Sequence, residues 1–186
     1  MRQLLFTLLL LSSVNTVTAI TSDQTELRKV LQKAIESSDS FKDRFDAEVW
    51  LVDMSDRLKK LLPEKNERIE LLKTVHREAK RSNLHPELVL AVIHIESRFD
   101  RFAISRAGAQ GLMQVMPFWL NEIGHPNDNL VDLKTNLRMG CTILKYYLDK
   151  EKGDLVKGLA RYNGSTGRRT YSDKVLDILR THWYQR

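Results

Sequence analysis

From Leu27 to Trp183 the apolar residues recur at the spacing of helix faces, and no stretch alternates with the period of a strand. That pattern predicts an all-α chain. Leu27, Val30, Leu31, Ala34 and Ile35 share one face ahead of a turn at Ser37-Ser38-Asp39-Ser40. A second helix, from about Phe41, carries Leu51, Met54, Leu58 and Leu61 and stops before Pro63, whose ring cannot continue it. From Asn66 onward Ile69, Leu72, His76 and Ala79 fall on one face, and His76 reads as a packing residue rather than a ligand. Pro86 fits the first turn of the next helix, Glu87 complements its dipole, and Leu88, Val92, Ile95 and Phe99 form its stripe. Residues 101–128 are broken by Gly108, Gly111, Pro117, Gly124 and Pro126. A long helix follows from about Asp132, a short one from Asp154 to about Tyr162, and a last one from Thr170 to Trp183.

A length of 186 residues, 42% hydrophobic and 29% charged, suits one compact domain with a modest extension. Arg2, the apolar run Leu4 to Leu11 and the small residues of Val17-Thr18-Ala19 have the layout of a signal peptide over residues 1–19. The apolar run is well short of the roughly 20 residues that a spanning helix needs. The alternative is an uncleaved signal anchor. With no cysteine near the cleavage point there is no lipid attachment site, so the expected product is periplasmic or secreted, with no stable membrane anchor after signal cleavage. Residues 20–62 then form a helical extension, and 63–186 the domain that holds every chemical motif.

Cys141 is the only cysteine, which excludes an intramolecular disulfide. It lies on the stripe Leu133, Leu137, Cys141, Leu144, Leu148 and reads as a buried, inert thiol rather than a nucleophile. The formal charge is +6 at pH 7. Export argues against nucleic acid as the partner for that charge and favours an acidic envelope polymer, held by loose electrostatic attraction. No His/Cys cluster has metal-ligand spacing.

The chemistry concentrates at one carboxylate. Glu96-Ser97 closes the apolar helix, and fifteen residues after Glu96 the chain reads Gly111-Leu112-Met113-Gln114. Apart from Asp100, no other acidic residue stands between these points, and none occurs from Arg101 to Asn121. A carboxyl at the edge of an apolar face is partly desolvated, which raises its pKa toward the range where it holds a proton near neutrality. Glycosidic cleavage needs such a proton, delivered to the leaving oxygen. On helix position alone, Glu96 fits equally a cap on a neighbouring helix or a partner for Arg98. Gly108 and Gly111 permit backbone conformations that approach a ligand closely, and Ser105 and Gln114 offer neutral donors and acceptors suited to N-acetyl and hydroxyl groups.

The string Ala103-Ile104-Ser105-Arg106-Ala107-Gly108-Ala109-Gln110-Gly111-Leu112-Met113-Gln114-Val115-Met116-Pro117, behind Glu96-Ser97, resembles the soluble-type (SLT) lytic murein transglycosylases, relatives of goose-type lysozyme. Their fixed positions in this segment are all matched. Asp132, Asn136 and Gly140 match the family's Asp-x-x-x-Asn-x-x-x-Gly signature, and Tyr162-Asn163 its Tyr-Asn pair, so the resemblance spans roughly residues 66–184. It implies a lysozyme-like helical domain acting on peptidoglycan glycan strands. It implies Glu96 as the sole acid and base, with Tyr162 holding its carboxyl. Ser105 and Gln114 would line sugar subsites, Met113 would pack under the glycan, and Asn163 would shape the wall. From the residues themselves, Met113 and Tyr162 read equally well as core. Two departures fall near the groove: Tyr162-Asn163 continues as Gly164-Ser165 rather than Ala-Gly behind an unusual Arg161, and Trp119-Leu120 replaces the common Thr-Ala after Pro117.

The implied reaction is an intramolecular transfer that closes a 1,6-anhydro ring on N-acetylmuramic acid without consuming water and without a metal or other cofactor. Its nearest rival, a goose-lysozyme-like hydrolase, needs further aspartates to organise water, and Asp100 is the only candidate. A non-catalytic glycan-binding adaptor is a rival of another class; the joint presence of Glu96 and Tyr162 argues against it.

Overall fold

The computed structural model describes residues 44–184; the expected leader and the helix over 27–35 lie outside the described residues. Within them seven α-helices follow one another: α1 (Arg44–Leu58), α2 (Lys65–Arg81), α3 (Pro86–Glu96), α4 (Trp119–Ile123), α5 (Leu133–Lys150), α6 (Leu155–Tyr162) and α7 (Thr170–Ile178). A π-helical turn, Leu179–Trp183, extends α7. Among the described residues the only extended pairings are the isolated bridges Ile104–Gln110 and Gln110–Val115.

Helix α3 is the axis of the domain. Its first residue is Pro86, whose missing N–H is lost at no cost there. Leu88, Val89, Leu90, Ala91, Val92 and Ile93 are all buried, so the helix is enclosed on every side rather than along one stripe. Helices α2 and α7 and the π-helical turn pack directly on it. The expected stripe is also corrected at its end. Helix α3 stops at Glu96, and Phe99 reaches the core from outside it through left-handed backbone at Arg98 (φ 53°) and Phe99 (φ 69°). Such angles are uncommon for side chains with a Cβ. Here burial holds them: Phe99 packs at 5.5 Å on Trp183 and 5.8 Å on His94, ring centre to ring centre.

The long helix α5 behaves as its sequence predicts. Asp132 caps it by accepting the Thr135 N–H at 3.0 Å, and Leu133, Leu137, Cys141, Leu144 and Leu148 are all buried. Burial pushes the Cys141 thiol far above its ordinary range, as an inert core residue requires. His76 is likewise a packing residue, edge-on to Trp50 at 5.2 Å. The last helix is shorter than its apolar pattern suggests. After Ile178 the chain widens into the π-helical turn, and Trp183 ends up fully buried against Phe99 and His94.

Helix α1 belongs to the same core as the rest. Leu51, Met54 and Leu58 are fully buried in it, the Trp50 indole donates to Glu87 at 2.7 Å, and Arg57 donates to the His182 carbonyl. The buried Arg68 guanidinium ties α2 back to the linker through the carbonyls of Leu62 (2.8 Å) and Pro63 (2.6 Å). The described part of the segment before Pro63 thus packs into the same core as the helices that follow it. Leu51→Ala should lower unfolding stability by about 2–5 kcal/mol, the usual cost of such a truncation in a packed core. Thermal or denaturant melting checks this; a loss below about 1 kcal/mol would mean that α1 is a detachable extension.

Candidate active site

Glu96 is the last residue of α3, where the unpaired carbonyls of the helix end make a negative charge unfavourable. Its carboxyl is mostly buried, and that burial pushes its pKa up to about 7, against an opposing effect from a hydrogen bond donated by Tyr171. The bond is short, Tyr171 Oη to Glu96 Oε1 at 2.6 Å, and spans from α7 to the end of α3. Burial first, and the nearby Glu96 carboxylate second, hold the Tyr171 phenol well above its ordinary pKa, so it remains a donor.

The hydroxyl that meets Glu96 is thus not that of Tyr162. Tyr162, at the end of α6, donates instead to the Met113 carbonyl at 2.7 Å. It stands near enough to Glu96 for the carboxylate to add to the rise in phenol pKa that burial causes. The reason for the exchange is packing. Helix α7 lies directly on α3, so its second residue reaches the end of α3, whereas Tyr162 faces the 103–117 loop. No motif in the sequence singles out Tyr171. The available signal is periodicity: Tyr171 shares a buried face with Val175, and a buried tyrosine hydroxyl needs a partner.

The loop itself is a compact knot of backbone bonds. Gln110 and Val115 exchange N–H···O bonds at 3.0 Å in both directions, and Ser105 and Ala109 close a smaller turn at 2.9 Å. Gly111, at φ +75°, is forced by crowding as well as by dihedral angle: a Cβ there would sit 2.4 Å from the Asn136 amide nitrogen. The Asn136 side chain, almost wholly buried on α5, accepts the Met113 N–H at 2.8 Å and donates to the carbonyls of Gln110 (2.9 Å) and Leu130 (2.7 Å). One turn further along α5, Gly140 leaves the space that Met113 fills; a Cβ would meet its sulfur at 2.4 Å. The Asp132–Asn136–Gly140 spacing thus has a physical meaning: cap, clamp and socket on successive turns of one helix.

The other anticipated side chains divide between loop and surface. Met113 is fully buried in that socket, so it supports the loop from beneath. Ser105 is half-buried, and its hydroxyl oxygen accepts the Ala109 N–H at 3.0 Å. Gln114 has left-handed backbone (φ 49°), and its amide NH2 donates to the Gly111 carbonyl (3.0 Å) and the Ala103 carbonyl (3.2 Å). Both spend polar groups on shaping the loop, which limits what they offer a ligand. Asn163, at the C-terminus of α6, is exposed. Asp100 is exposed and accepts the Phe102 N–H at 2.9 Å in its own turn. Among the described residues no group of three or more metal-ligating side chains converges.

A single proton-bearing carboxyl, a phenol that positions it and a rigid loop pinned beside it form a site for proton transfer. The sequence profile of the Transglycosylase SLT domain matches residues 73–175, more than half of the chain and the whole of this site. The chain belongs to the transglycosylase SLT domain family. Over 93 residues it is 34% identical to a transglycosylase of Enterobacteria phage PRD1, an alignment covering 50% of this chain and 34% of the phage protein. Over 48 residues, 26% of this chain and 13% of the relative, it is 44% identical to the membrane-bound lytic murein transglycosylase C of Actinobacillus pleuropneumoniae serotype 5b (strain L20). The matched regions are thus 34% and 13% of those relatives' own lengths. Among solved structures, an inactive mutant of the lytic transglycosylase Slt from Pseudomonas aeruginosa is similar at a TM-score of 0.48 and 21% identity, covering 82% of this chain and 33% of that one. The 70-kDa soluble lytic transglycosylase in complex with bulgecin A is similar at 0.48 and 18%, covering 82% and 30%.

Two substitutions test the site's construction. Tyr171→Phe removes a hydrogen bond to the ionised carboxylate and should raise the Glu96 pKa further, read by carboxyl-carbon NMR titration. An unchanged titration would show that the phenol has no hold on the acid. Asn136→Ala strands one N–H and two carbonyls, and should cost at least about 1–3 kcal/mol in a melting experiment.

Proposed function

We propose that this protein is a peptidoglycan lytic transglycosylase that cleaves the β-1,4 bond between N-acetylmuramic acid and N-acetylglucosamine without water, releasing 1,6-anhydro-N-acetylmuramic acid ends. The observation that carries the reading is the lone carboxyl of Glu96, its pKa lifted to about 7 by burial, so that it holds a proton near neutrality yet can give it up. Membership of the SLT family and the murein transglycosylase among the relatives support the substrate class. Export to the envelope, through the leader-like residues 1–19, is part of the same proposal.

In this mechanism Glu96 donates its proton to the glycosidic oxygen while the muramoyl N-acetyl carbonyl stabilises the developing cation, as in substrate-assisted exceptions to the two-carboxylate rule. The Glu96 carboxylate then accepts the proton of the muramoyl C6 hydroxyl, whose oxygen closes the ring on C1. That hydroxyl is held in place and competes with solvent through its effective concentration. Tyr171 steadies the carboxylate between the two steps, and Tyr162 keeps the loop carbonyl of Met113 in register. The one acidic group of the following segment, Asp100, is engaged in a surface turn, which favours internal transfer over a hydrolase.

Mass analysis of muropeptides from murein digestion tests the whole proposal. Products should be one water lighter than lysozyme products and lack a reducing end; predominantly reducing-end products would replace the lyase by a hydrolase. Glu96→Gln, nearly isosteric, should abolish cleavage. Native activity should decline as pH rises through about 7, where Glu96 loses its proton. The stability consequence follows from the same shift. A carboxyl with a raised folded-state pKa favours folding below its unfolded value, and that contribution is lost as pH rises through about 7. Glu96→Gln should therefore gain stability relative to the native protein on the alkaline side.

A further inference from the structure

The chain leaves the catalytic loop at Met116-Pro117 and runs straight into α4, which faces the last turns of α5 across a cleft of about 490 Å3. That volume lies within the range of ligand pockets, roughly 300–1,000 Å3. Four aromatic rings line it in an unbroken series. Ring centres of Phe118 and Trp119 stand 5.1 Å apart, those of Trp119 and Tyr147 6.4 Å, and those of Tyr147 and Tyr146 5.2 Å. The core has no use for the two outer members: Phe118 is 54% and Tyr146 52% exposed. Large rings left open together in a concave surface mark a binding site. At the rim the Lys150 ammonium lies 5.6 Å from the Tyr146 ring centre, and Glu122 adds a carboxylate.

We propose that this cleft is a second glycan-binding site, an aromatic platform that holds a further stretch of the murein strand beyond the sugars at Glu96; it rests on the function proposed above. A pyranose ring carries an apolar C–H face, which stacks on an exposed aromatic ring, and a hydroxyl edge that a carboxylate or a tyrosine hydroxyl can bond. Where a muramic residue carries no stem peptide, its free lactyl carboxylate is complementary to Lys150. Continuity supports this occupant, since the loop pinned beside the acid and the aromatic wall are adjacent in the chain. A protein partner would favour a broader aliphatic face, and the cleft's aliphatic lining is confined to Ile123 and Ile143.

The test is calorimetric titration of purified, peptide-free murein strands, and of a murein tetrasaccharide, into Glu96→Gln protein with and without Phe118→Ala/Tyr146→Ala. The double substitution should weaken long-strand binding about tenfold and leave tetrasaccharide affinity unchanged. In the Glu96 enzyme it should raise KM for long strands with kcat unaltered. Lys150→Glu, a surface change that spares the rings, should weaken strand binding severalfold. Unchanged strand affinity, or an equal loss for strand and tetrasaccharide, overturns the proposal. So does unchanged strand affinity combined with altered self-association in sedimentation, which would make the cleft a protein contact. Because binding is read without turnover, a native protein that fails to cleave murein would refute the catalytic reading separately from the cleft.

Discussion

The Asn136 side chain is the contact on which the site depends. A loop with left-handed backbone at Gly108, Gly111 and Gln114 pairs many of its polar groups internally but not all, and it lies over an apolar core that has none to lend. From within α5, Asn136 meets two of those groups, accepting the Met113 N–H and donating to the Gln110 carbonyl, and it also donates to the Leu130 carbonyl of the segment that leads into α5. An amide is suited to this because it carries both kinds of group at one end. An ionised aspartate of the same shape could accept the Met113 N–H but could not donate to either carbonyl. With the loop fixed by α5, Tyr162 from α6 adds a second hold at the Met113 carbonyl, so two helices clamp the same residue from different sides.

Against that fixed loop, the carboxyl of Glu96 is set by opposing influences. Enclosure at the end of a wholly buried helix favours the protonated form, while the Tyr171 hydrogen bond favours the charged one. Burial is the stronger, yet the balance leaves the group near neutrality, where a single residue can serve both halves of a proton transfer. A second carboxylate close by would disturb that balance through like-charge repulsion. The segment that follows Glu96 instead turns its one aspartate outward.

Architecture and site share their supports. Phe99, forced inward by left-handed backbone just after Glu96, packs on Trp183, and Trp183 arrives there through the π-helical turn that extends α7. The same α7 carries Tyr171. The turn after the acid and the helix that positions its phenol are therefore locked to each other through the core. Helix α1 closes that core from outside through Arg57 and the buried Leu51, Met54 and Leu58.

Helical periodicity, proline stops and caps by themselves determined the all-α class, the span of α5 and the inert placement of Cys141, because each is a local property of the chain. The Glu96-Ser97 end and the glycine-bounded loop were legible for the same reason: a desolvated acid and a backbone needing φ > 0 leave marks in nearby residues. Tertiary packing alone decided which tyrosine meets the acid. Tyr162 and Tyr171 are nine positions apart on either side of a turn, and only the docking of α7 on α3 gives the Glu96 bond to Tyr171 and the Met113 carbonyl to Tyr162. Packing likewise enclosed α3 on all sides and turned Met113 from a candidate sugar floor into a core anchor in the Gly140 socket. A buried position is a relation among several helices, and no single stretch of sequence contains it.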